Sequence, residues 1–361
     1  MKRLFAGTAA ALAPVLFLST PVSAISAKKA ILLDAATGRI LYEKRADEKS
    51  LIASTTKIMT ALIICEQCNV LDRMAIPKEA VGIEGSSIYL KEGEVLSLQE
   101  LLYGMMLHSG NDAATALAIY CGGTVEGFAS LMNDKARMLK LSDTHFVNPH
   151  GLDAPDHYST ARDLAILASY AMDNPIFAKT VSSKTVTIGH RALTNHNKLL
   201  WRLEGAEGVK TGYTKAAGRI LVSSAHRQGR RLVAVTIEDG NDWADHAALY
   251  EEGFRNYHIT KIISQGQDLG TLQVFGGAEQ EVTVKASEDF SYALSPEENP
   301  TIVLSLKGMT FAPVVEGANA GVAYICLGNQ PVGKISVEYA ATVELQSEMK
   351  KKCHWQHIFG D

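Results

Sequence analysis

The strongest constraint on the fold is a change in hydrophobic patterning near residue 260 of this 361-residue chain. Before this point, apolar residues recur with helical spacing in several stretches, and short β-rich runs lie between some of them. After it, helical spacing disappears and only short β-rich runs separated by turn residues remain. A chain of this length accommodates about two domains. The pattern therefore predicts an α/β (α+β) domain rich in helices, followed by a small all-β, sandwich-like or barrel domain.

The predicted helices span residues 56–66, 98–108, 113–121, 127–139 and 161–172. The predicted strands of the first domain span residues 30–33, 40–43, 220–225 and 232–237. Those of the second domain span residues 281–285, 301–306, 322–327 and 334–343. Segments 321–327 and 333–339 are expected to pair as a hairpin around residues 328–332. We place the two domains at residues 25–260 and 261–345.

The beginning of the chain predicts a protein that leaves the cytoplasm. Met1-Lys2-Arg3 is basic, residues 4–18 are apolar, and small residues at 22–24 form a site for signal peptidase. An uncleaved anchor is the alternative, but the apolar run is shorter than the roughly 20 residues that span a bilayer. We expect residues 1–24 to be a signal peptide cleaved after Ala24. The mature protein would then work at the outer face of the cytoplasmic membrane, in the cell-wall space, or secreted.

The tail, residues 346–361, combines lysines with apolar residues at helical spacing. This combination suits a segment that rests on an anionic membrane surface. A disordered tail is the alternative, because so short a helix is marginal in water. The residues concerned are Lys350, Lys351, Lys352, Trp355, Ile358 and Phe359.

Charge, cysteines and histidines argue against several functional classes. The formal net charge of −4 gives no electrostatic reason to expect nucleic acid. The five cysteines are too few, and odd in number, for a disulfide framework. The spacing of Cys65 and Cys68 leaves packing, an incidental disulfide or redox chemistry open, with packing favoured. Because His145, His150 and His157 lack the helical spacing of a zinc site, we predict neither metal nor cofactor.

Three short motifs in the first domain carry reactive side chains. Ser54 and Lys57 lie three residues apart where a helix begins, which puts both on one helix face. Ser109 and Asn111 follow in a polar turn, and Lys210-Thr211-Gly212 lies on an extended segment. Singly, these motifs are typical of an N-cap, a helix connection and a glycine-containing strand. In this order, Ser-x-x-Lys, Ser-x-Asn and Lys-Thr-Gly form the motif set of penicillin-interacting serine enzymes.

With these motifs the chain resembles the exported serine-type D-alanyl-D-alanine carboxypeptidases, the low-molecular-mass penicillin-binding proteins. The likeness covers nearly the whole mature chain, including residues 53–61, 85–93, 108–114, 146–152 and 208–214 and the trailing β domain. It implies a transpeptidase-like catalytic domain that needs no cofactor. It also implies a peptidoglycan stem peptide ending in D-Ala-D-Ala as the substrate and β-lactams as inhibitors.

The resemblance implies that Ser54 attacks the penultimate D-alanine carbonyl, forms an acyl-enzyme and releases the last D-alanine. A serine hydroxyl needs a base, and Lys57 is the candidate because the motif contains no histidine. Lys57 must then lose its proton more readily than a free lysine, through burial and a nearby positive charge such as Lys210. Which group acts as the base in deacylation stays open, with Lys57 as our assignment for both steps.

The remaining site residues also take their roles from the resemblance. Ser109 would relay a proton to the departing amine, and Asn111 would hold Lys57 and the substrate amide. Lys210 and Thr211 would bind the terminal carboxylate of the substrate. The backbone amides of Ser54 and Tyr213 would stabilise the oxyanion. Gly212 lacks a Cβ, which would let the substrate lie against the strand.

A β-lactamase and a catalytically silent wall-binding protein are the alternatives. Gly110 stands where related β-lactamases carry aspartate, and no Glu-x-x-Leu-Asn-like segment lies between the second and third motifs. Both departures favour the carboxypeptidase. The intact Ser54, Lys57 and Lys210 argue against a silent protein, although the sequence alone does not show that they converge.

Overall fold

The computed structural model describes residues 25–347. The predicted signal peptide lies outside the described residues, and so does the tail from residue 348 onward. The helices are α1 (Lys57–Gln67), α2 (Leu98–Leu107), α3 (Asn111–Gly122), α4 (Val125–Met138), α5 (Ala161–Met172), α6 (Pro175–Ser182), α7 (Leu199–Arg202) and α8 (Asp242–Asn256). The strands of the first domain are β1 (Lys29–Asp34), β2 (Ile40–Lys44), β3 (Arg73–Ala75), β4 (Val95–Ser97), β5 (Thr185–Ile188), β6 (Arg191–Thr194), β7 (Ala206–Thr214), β8 (Gly218–Arg227) and β9 (Arg230–Ile237). Further strands are β10 (His258–Ile263), β11 (Asp268–Phe275), β12 (Glu281–Ala286), β13 (Phe290–Leu294), β14 (Pro300–Leu306), β15 (Thr310–Phe311), β16 (Asn319–Leu327) and β17 (Gln330–Tyr339).

An antiparallel five-stranded sheet, in the order β2-β1-β9-β8-β7, forms the centre of the first domain. Alternate side chains of β1 enter different cores. Ile31 and Leu33 join the large cluster built with α1 to α6, whereas Leu32 packs with Leu249 and Tyr250 of α8. Because helices cover both faces, the inner strands are almost continuously apolar. This order leaves β7, which carries Lys210, at an edge of the sheet.

The predicted elements of the first domain are present with bounds shifted by at most two residues, and 161–172 is matched at both ends. The sequence patterns did not predict α6, α7 or α8. Of these, α8 matters most for the site, because its first turn reaches the pocket described below. None of the helices within residues 25–347 combines the length and apolar character that crossing a bilayer requires.

The strands from β10 onward form the all-β part of the chain. Six of them make one sheet, in the order β14-β16-β17-β12-β11-β15, and β10 pairs with β13. Their own core includes the fully buried Val284, Ala323, Ile325 and Val337. An all-β domain after a helix-rich α/β domain is the predicted fold class, whereas the boundary at residue 260 stays a prediction and lies within β10.

The predicted hairpin forms between β16 and β17, but its turn is tighter than expected. Leu327 pairs with Gln330, so only Gly328 and Asn329 turn the chain, with Gly328 at φ +57°. Pro331 is typical of a loop and so favoured one at residues 328–332, but a proline is also tolerated at the beginning of a strand. The predicted strand 334–343 also ends earlier, at Tyr339, and Val343 forms an isolated bridge with Val314 instead.

Candidate active site

The first motif lies where a short 3-10 turn, Ala53–Thr56, runs directly into α1. Ala53 adopts φ +44°, a left-handed conformation that is uncommon for a residue with a Cβ. The turn places Ser54 at the mouth of a pocket, and the first residue of α1 is Lys57. The Lys57 Nζ lies 2.9 Å from the Ser54 Oγ. The hydroxyl and the amine are therefore in direct hydrogen-bond contact.

Lys57 is fully buried, and its amine has two further partners. Nζ donates to Asn111 Oδ1 at 2.7 Å and to the backbone oxygen of His150 at 2.6 Å. Within residues 25–347 no carboxylate forms an ion pair with it. Burial, and then the positive charge of Lys210, lower the pKa of Lys57 well below its ordinary value; Asp112 opposes this shift weakly. The surroundings of Lys57 thus favour its neutral form.

Lys210, on the edge strand β7, is a second buried lysine. Its side chain is 2% exposed, and Nζ donates only to the backbone oxygen of the neighbouring Thr211, at 2.9 Å. Across the described part of the chain, no acidic side chain pairs with it. Burial lowers the pKa of Lys210 to about 7. A cation held without a counter-ion beside a pocket is a ready partner for an incoming anion.

The second motif joins α2 to α3 and is held by Asp112. The Asp112 carboxylate accepts hydrogen bonds from Ser87 Oγ at 2.6 Å and from the backbone N–H groups of Ile88 and Leu90 at 3.1 Å. The Asn111 N–H donates to Ser86 O at 2.7 Å. These contacts attach the loop of residues 84–90 to the beginning of α3. Ser109 adopts φ +64° and lines the pocket with Ser86.

The three motifs meet at one cavity of about 620 Å³. Its lining includes Ser54, Ser109 and the strand segment Thr211 to Tyr213, while Lys57, Asn111 and Lys210 lie buried behind it. Gly212 lies close to the first motif: a Cβ there would lie 3.3 Å from the Ser54 backbone nitrogen. The structure therefore brings together every site residue that the sequence predicts.

The cavity lining also includes residues that the motifs did not indicate. Arg219 of β8 forms an ion pair with the buried Asp242 of α8 at 2.7 Å, and Trp243 lies beside it. His196 and Lys198 also line the cavity. Arg219 is the cross-strand neighbour of Tyr213, so recognising the β7–β8 hairpin in the sequence would have indicated it.

Two of the histidines that were considered as metal ligands, His150 and His157, instead support the active site structurally. His157 accepts the backbone N–H of Val147 at 3.1 Å and contacts Thr56 Oγ1 at 2.8 Å, and burial lowers its pKa to about 4. His150 supplies a backbone oxygen to Lys57, and burial followed by the Lys57 charge lowers the pKa of its ring to about 3. No group of three or more metal-ligating side chains occurs between residues 25 and 347.

Ser-x-x-Lys, Ser-x-Asn and Lys-Thr-Gly, brought together at one cavity, are the arrangement of penicillin-interacting serine enzymes. The chain belongs to the D-alanyl-D-alanine carboxypeptidase family, peptidase family S11, whose model matches residues 17–241. The C-terminal domain of penicillin-binding protein 5 matches residues 257–345. These matches confirm the predicted family, the predicted class of enzyme and the order of its two kinds of domain.

Individual relatives agree with the family match. The chain is 31% identical to the D-alanyl-D-alanine carboxypeptidase DacF of Bacillus subtilis, covering 90% of this chain and 86% of the relative. It is 36% identical to DacC of Escherichia coli, covering 73% and 70%. Among solved structures, penicillin binding protein 5 of Haemophilus influenzae superimposes with a TM-score of 0.78 at 28% identity, over 89% of this chain and 98% of that one.

Proposed function

We propose that this carboxypeptidase removes the terminal D-alanine from peptidoglycan stem peptides through an acyl-enzyme on Ser54. The observation that carries the proposal is the buried, carboxylate-free contact of 2.9 Å between Lys57 Nζ and Ser54 Oγ. Burial and the nearby positive charge of Lys210 lower the pKa of Lys57 well below its ordinary value, which favours the neutral amine that a serine nucleophile requires as a proton acceptor.

The partners of Lys57 support the direction of that proton transfer. A neutral amine has two hydrogens and one lone pair. The Asn111 Oδ1 and the His150 carbonyl oxygen only accept hydrogen bonds, so together they take both hydrogens. The lone pair is then left for the third partner, the Ser54 hydroxyl. Lys57 is therefore oriented to remove the Ser54 proton as the Oγ–carbon bond forms.

The reaction then proceeds in two stages. In acylation, Ser54 Oγ bonds to the penultimate D-alanine carbonyl carbon, and the amide C–N bond breaks. The proton taken by Lys57 passes to the leaving amine, with Ser109 at the pocket wall as the relay. In deacylation, water hydrolyses the ester and restores Ser54. The backbone amides of Ser54 and Tyr213 stabilise the oxyanion of each stage, where losing one donor costs about 3 kcal/mol.

Two assays on the purified enzyme test this function. We expect release of free D-alanine from a synthetic peptide ending in D-Ala-D-Ala, and one penicilloyl adduct per molecule by mass spectrometry. Ser54→Ala should give neither. An adduct that turns over rapidly, with loss of penicillin from solution, would identify a β-lactamase instead. Absence of both D-alanine release and adduct in the wild type would identify a catalytically silent protein.

Lys210 and Thr211 would bind the terminal carboxylate of the substrate, because Lys210 is a buried cation without an acidic partner among the described residues. We expect Lys210→Ala to lower kcat/KM for a carboxylate-terminated peptide by about 10- to 100-fold relative to its C-terminal amide, the effect of one charge-assisted contact. The ratio of the two kcat/KM values is the measurement, since it cancels any change in Lys57.

The matched control is Lys198→Ala, which removes an exposed lysine from the rim of the same cavity. It should leave the ratio within about twofold, because an exposed charge contributes little. The pH dependence has a defined sign: raising the pH through about 7 deprotonates Lys210, so KM for the carboxylate peptide should rise. An unchanged ratio in Lys210→Ala would contradict the assigned role.

The proposal includes export and contact with the membrane surface. Export is supported by the basic, apolar and small-residue pattern of residues 1–24, and membrane contact by the lysine and apolar pattern of residues 350–359. Both segments lie outside the described residues. The N-terminal residue of the mature protein tests the first, and co-sedimentation with anionic vesicles tests the second.

A further inference from the structure

Two cysteines lie at the far ends of the two helices that begin at the active site. Helix α1 begins at Lys57 and is capped by Cys68, and α3 begins at Asn111 and carries Cys121 in its last turn. With a rise of about 1.5 Å per residue, each cysteine lies roughly 15 Å along its helix from the catalytic end. The two helices thus start together at the pocket and end together at the cysteines.

The contacts around the two thiols hold these helix ends against each other. Cys68 and Cys121 lie close enough for the Cys121 thiol to raise the pKa of Cys68. Cys121 Sγ also lies 3.9 Å from Gln67 Oε1, next to Cys68 in the chain. Neighbouring residues are joined as well, since the Tyr120 hydroxyl donates to the Asp72 carboxylate at 3.0 Å. Both cysteines are free thiols in this structure and are partly exposed, so a reagent in solution can reach them.

Neither a reactive thiolate nor a metal site is supported at Cys68 and Cys121. Burial and the Cys121 neighbour raise the pKa of Cys68 to about 12, which disfavours a reactive thiolate. No cluster of three or more metal-ligating groups occurs among residues 25–347, so a metal site is not supported. Cys65 is buried in the apolar core, and Cys121 has a larger effect than Cys65 on the pKa of Cys68.

We infer that Cys68 and Cys121 form a disulfide that joins the ends of α1 and α3 in the mature protein. The inference rests on the export included in the proposed function, because structural disulfides persist in oxidising compartments. The two thiols lose two protons and two electrons as the S–S bond forms. The electrons pass to a disulfide of a thiol oxidoreductase through a mixed disulfide, and that acceptor becomes a dithiol.

The position of the cross-link gives it a structural role for the site. The closed loop from residue 68 to residue 121 contains Ser86, Ser109 and Asn111, which lie at or behind the pocket. The bond would fix the helix that carries Lys57 against the helix that carries Asn111, without touching the substrate. It restricts the unfolded chain far more than it changes the folded one.

The test uses the full chain, expressed with export and purified without reductant after the mature N terminus has been verified. Maleimide labelling under denaturing conditions should modify two more thiols after reduction than before. Tryptic digestion without reduction should give residues 58–73 linked to residues 92–135. Because the first peptide also contains Cys65, the Cys65→Ala variant is digested in parallel and should keep the link. Cys326→Ser, in the β domain, is the matched control and should also keep it.

A second measurement does not depend on the variants folding well. Reductant should lower the Tm of the exported wild type by about 5 to 10 °C, as expected for a loop of this length. The double variant Cys68→Ser/Cys121→Ser should lose this response to reductant. Full labelling of Cys68 and Cys121 before reduction, or a link to Cys65 or Cys353, would overturn the inference. These results are independent of D-alanine release, so failure here leaves the carboxypeptidase proposal standing.

Discussion

Replacing Lys57 with methionine is expected to slow acylation of Ser54 by about 10³-fold or more while the protein stays folded. Methionine has nearly the length of lysine but no group that can accept the Ser54 proton. Folding should survive, because methionine fills nearly the same buried volume, although Asn111 Oδ1 and the His150 oxygen each lose the hydrogen bond from Lys57, which should lower Tm. The measurement is the second-order rate of penicilloyl adduct formation, with Tm as the check on folding.

Two further variants separate the role of the base from the role of the charge. Lys57→Arg keeps a permanent positive charge but cannot accept a proton, so it should be as slow as Lys57→Met. Lys135→Met is the matched control, because Lys135 is also buried on a helix but is paired with Glu66 at 2.7 Å, away from the pocket. It should acylate at the wild-type rate. Appreciable acylation by Lys57→Arg would show that Lys57 is not the base.

The sequence predicted those helices and strands whose apolar residues repeat with a clear period within the element itself. Helix α5 was predicted to the residue, because apolar side chains recur on one face and Thr160 caps its first turn. Helix α8 was missed, since its buried face combines Leu249 and Tyr250 with the small Gly253 and the polar His246. The buried Ser223 explains that composition: its hydroxyl contacts both His246 and Tyr250, a pairing across 23 residues or more.

The site shows the same division between local and distant information. Order and spacing were enough to single out the reactive side chains of the three motifs. The carbonyl oxygen of His150 could not be found in this way, because any residue supplies a backbone oxygen and only the fold brings it to Lys57. The pair of Arg219 and Asp242 required knowledge that α8 reaches the rim of the cavity. The identity and spacing of the motif residues thus predicted the chemistry of the site. Contacts between distant parts of the chain determined which other groups surround those residues.

Gly151→Ala is expected to be the most disruptive single-methyl change near the site. At φ +90°, a Cβ on Gly151 would lie 1.8 Å from the Ala53 backbone oxygen and 2.8 Å from Thr56 Oγ1. Both atoms belong to the turn that presents Ser54. The segment cannot retreat freely, because Asn148 Oδ1 accepts the Gly151 N–H at 2.7 Å. We expect a loss of about 3 to 5 kcal/mol of stability, seen as a fall in Tm of roughly 10 °C.

Acylation should fall with stability in this variant, because moving Gly151 also moves the adjacent His150 oxygen that Lys57 contacts at 2.6 Å. Gly229→Ala is the matched control: Gly229 has φ +77°, but no atom lies within 4 Å of its added Cβ. It should cost only about 1 kcal/mol of backbone strain and leave acylation unchanged. Equal losses of Tm in the two variants would mean that backbone strain, rather than the contact with the Ser54 turn, makes glycine necessary at residue 151. A wild-type acylation rate in folded Gly151→Ala would show that Lys57 works without a fixed His150 carbonyl.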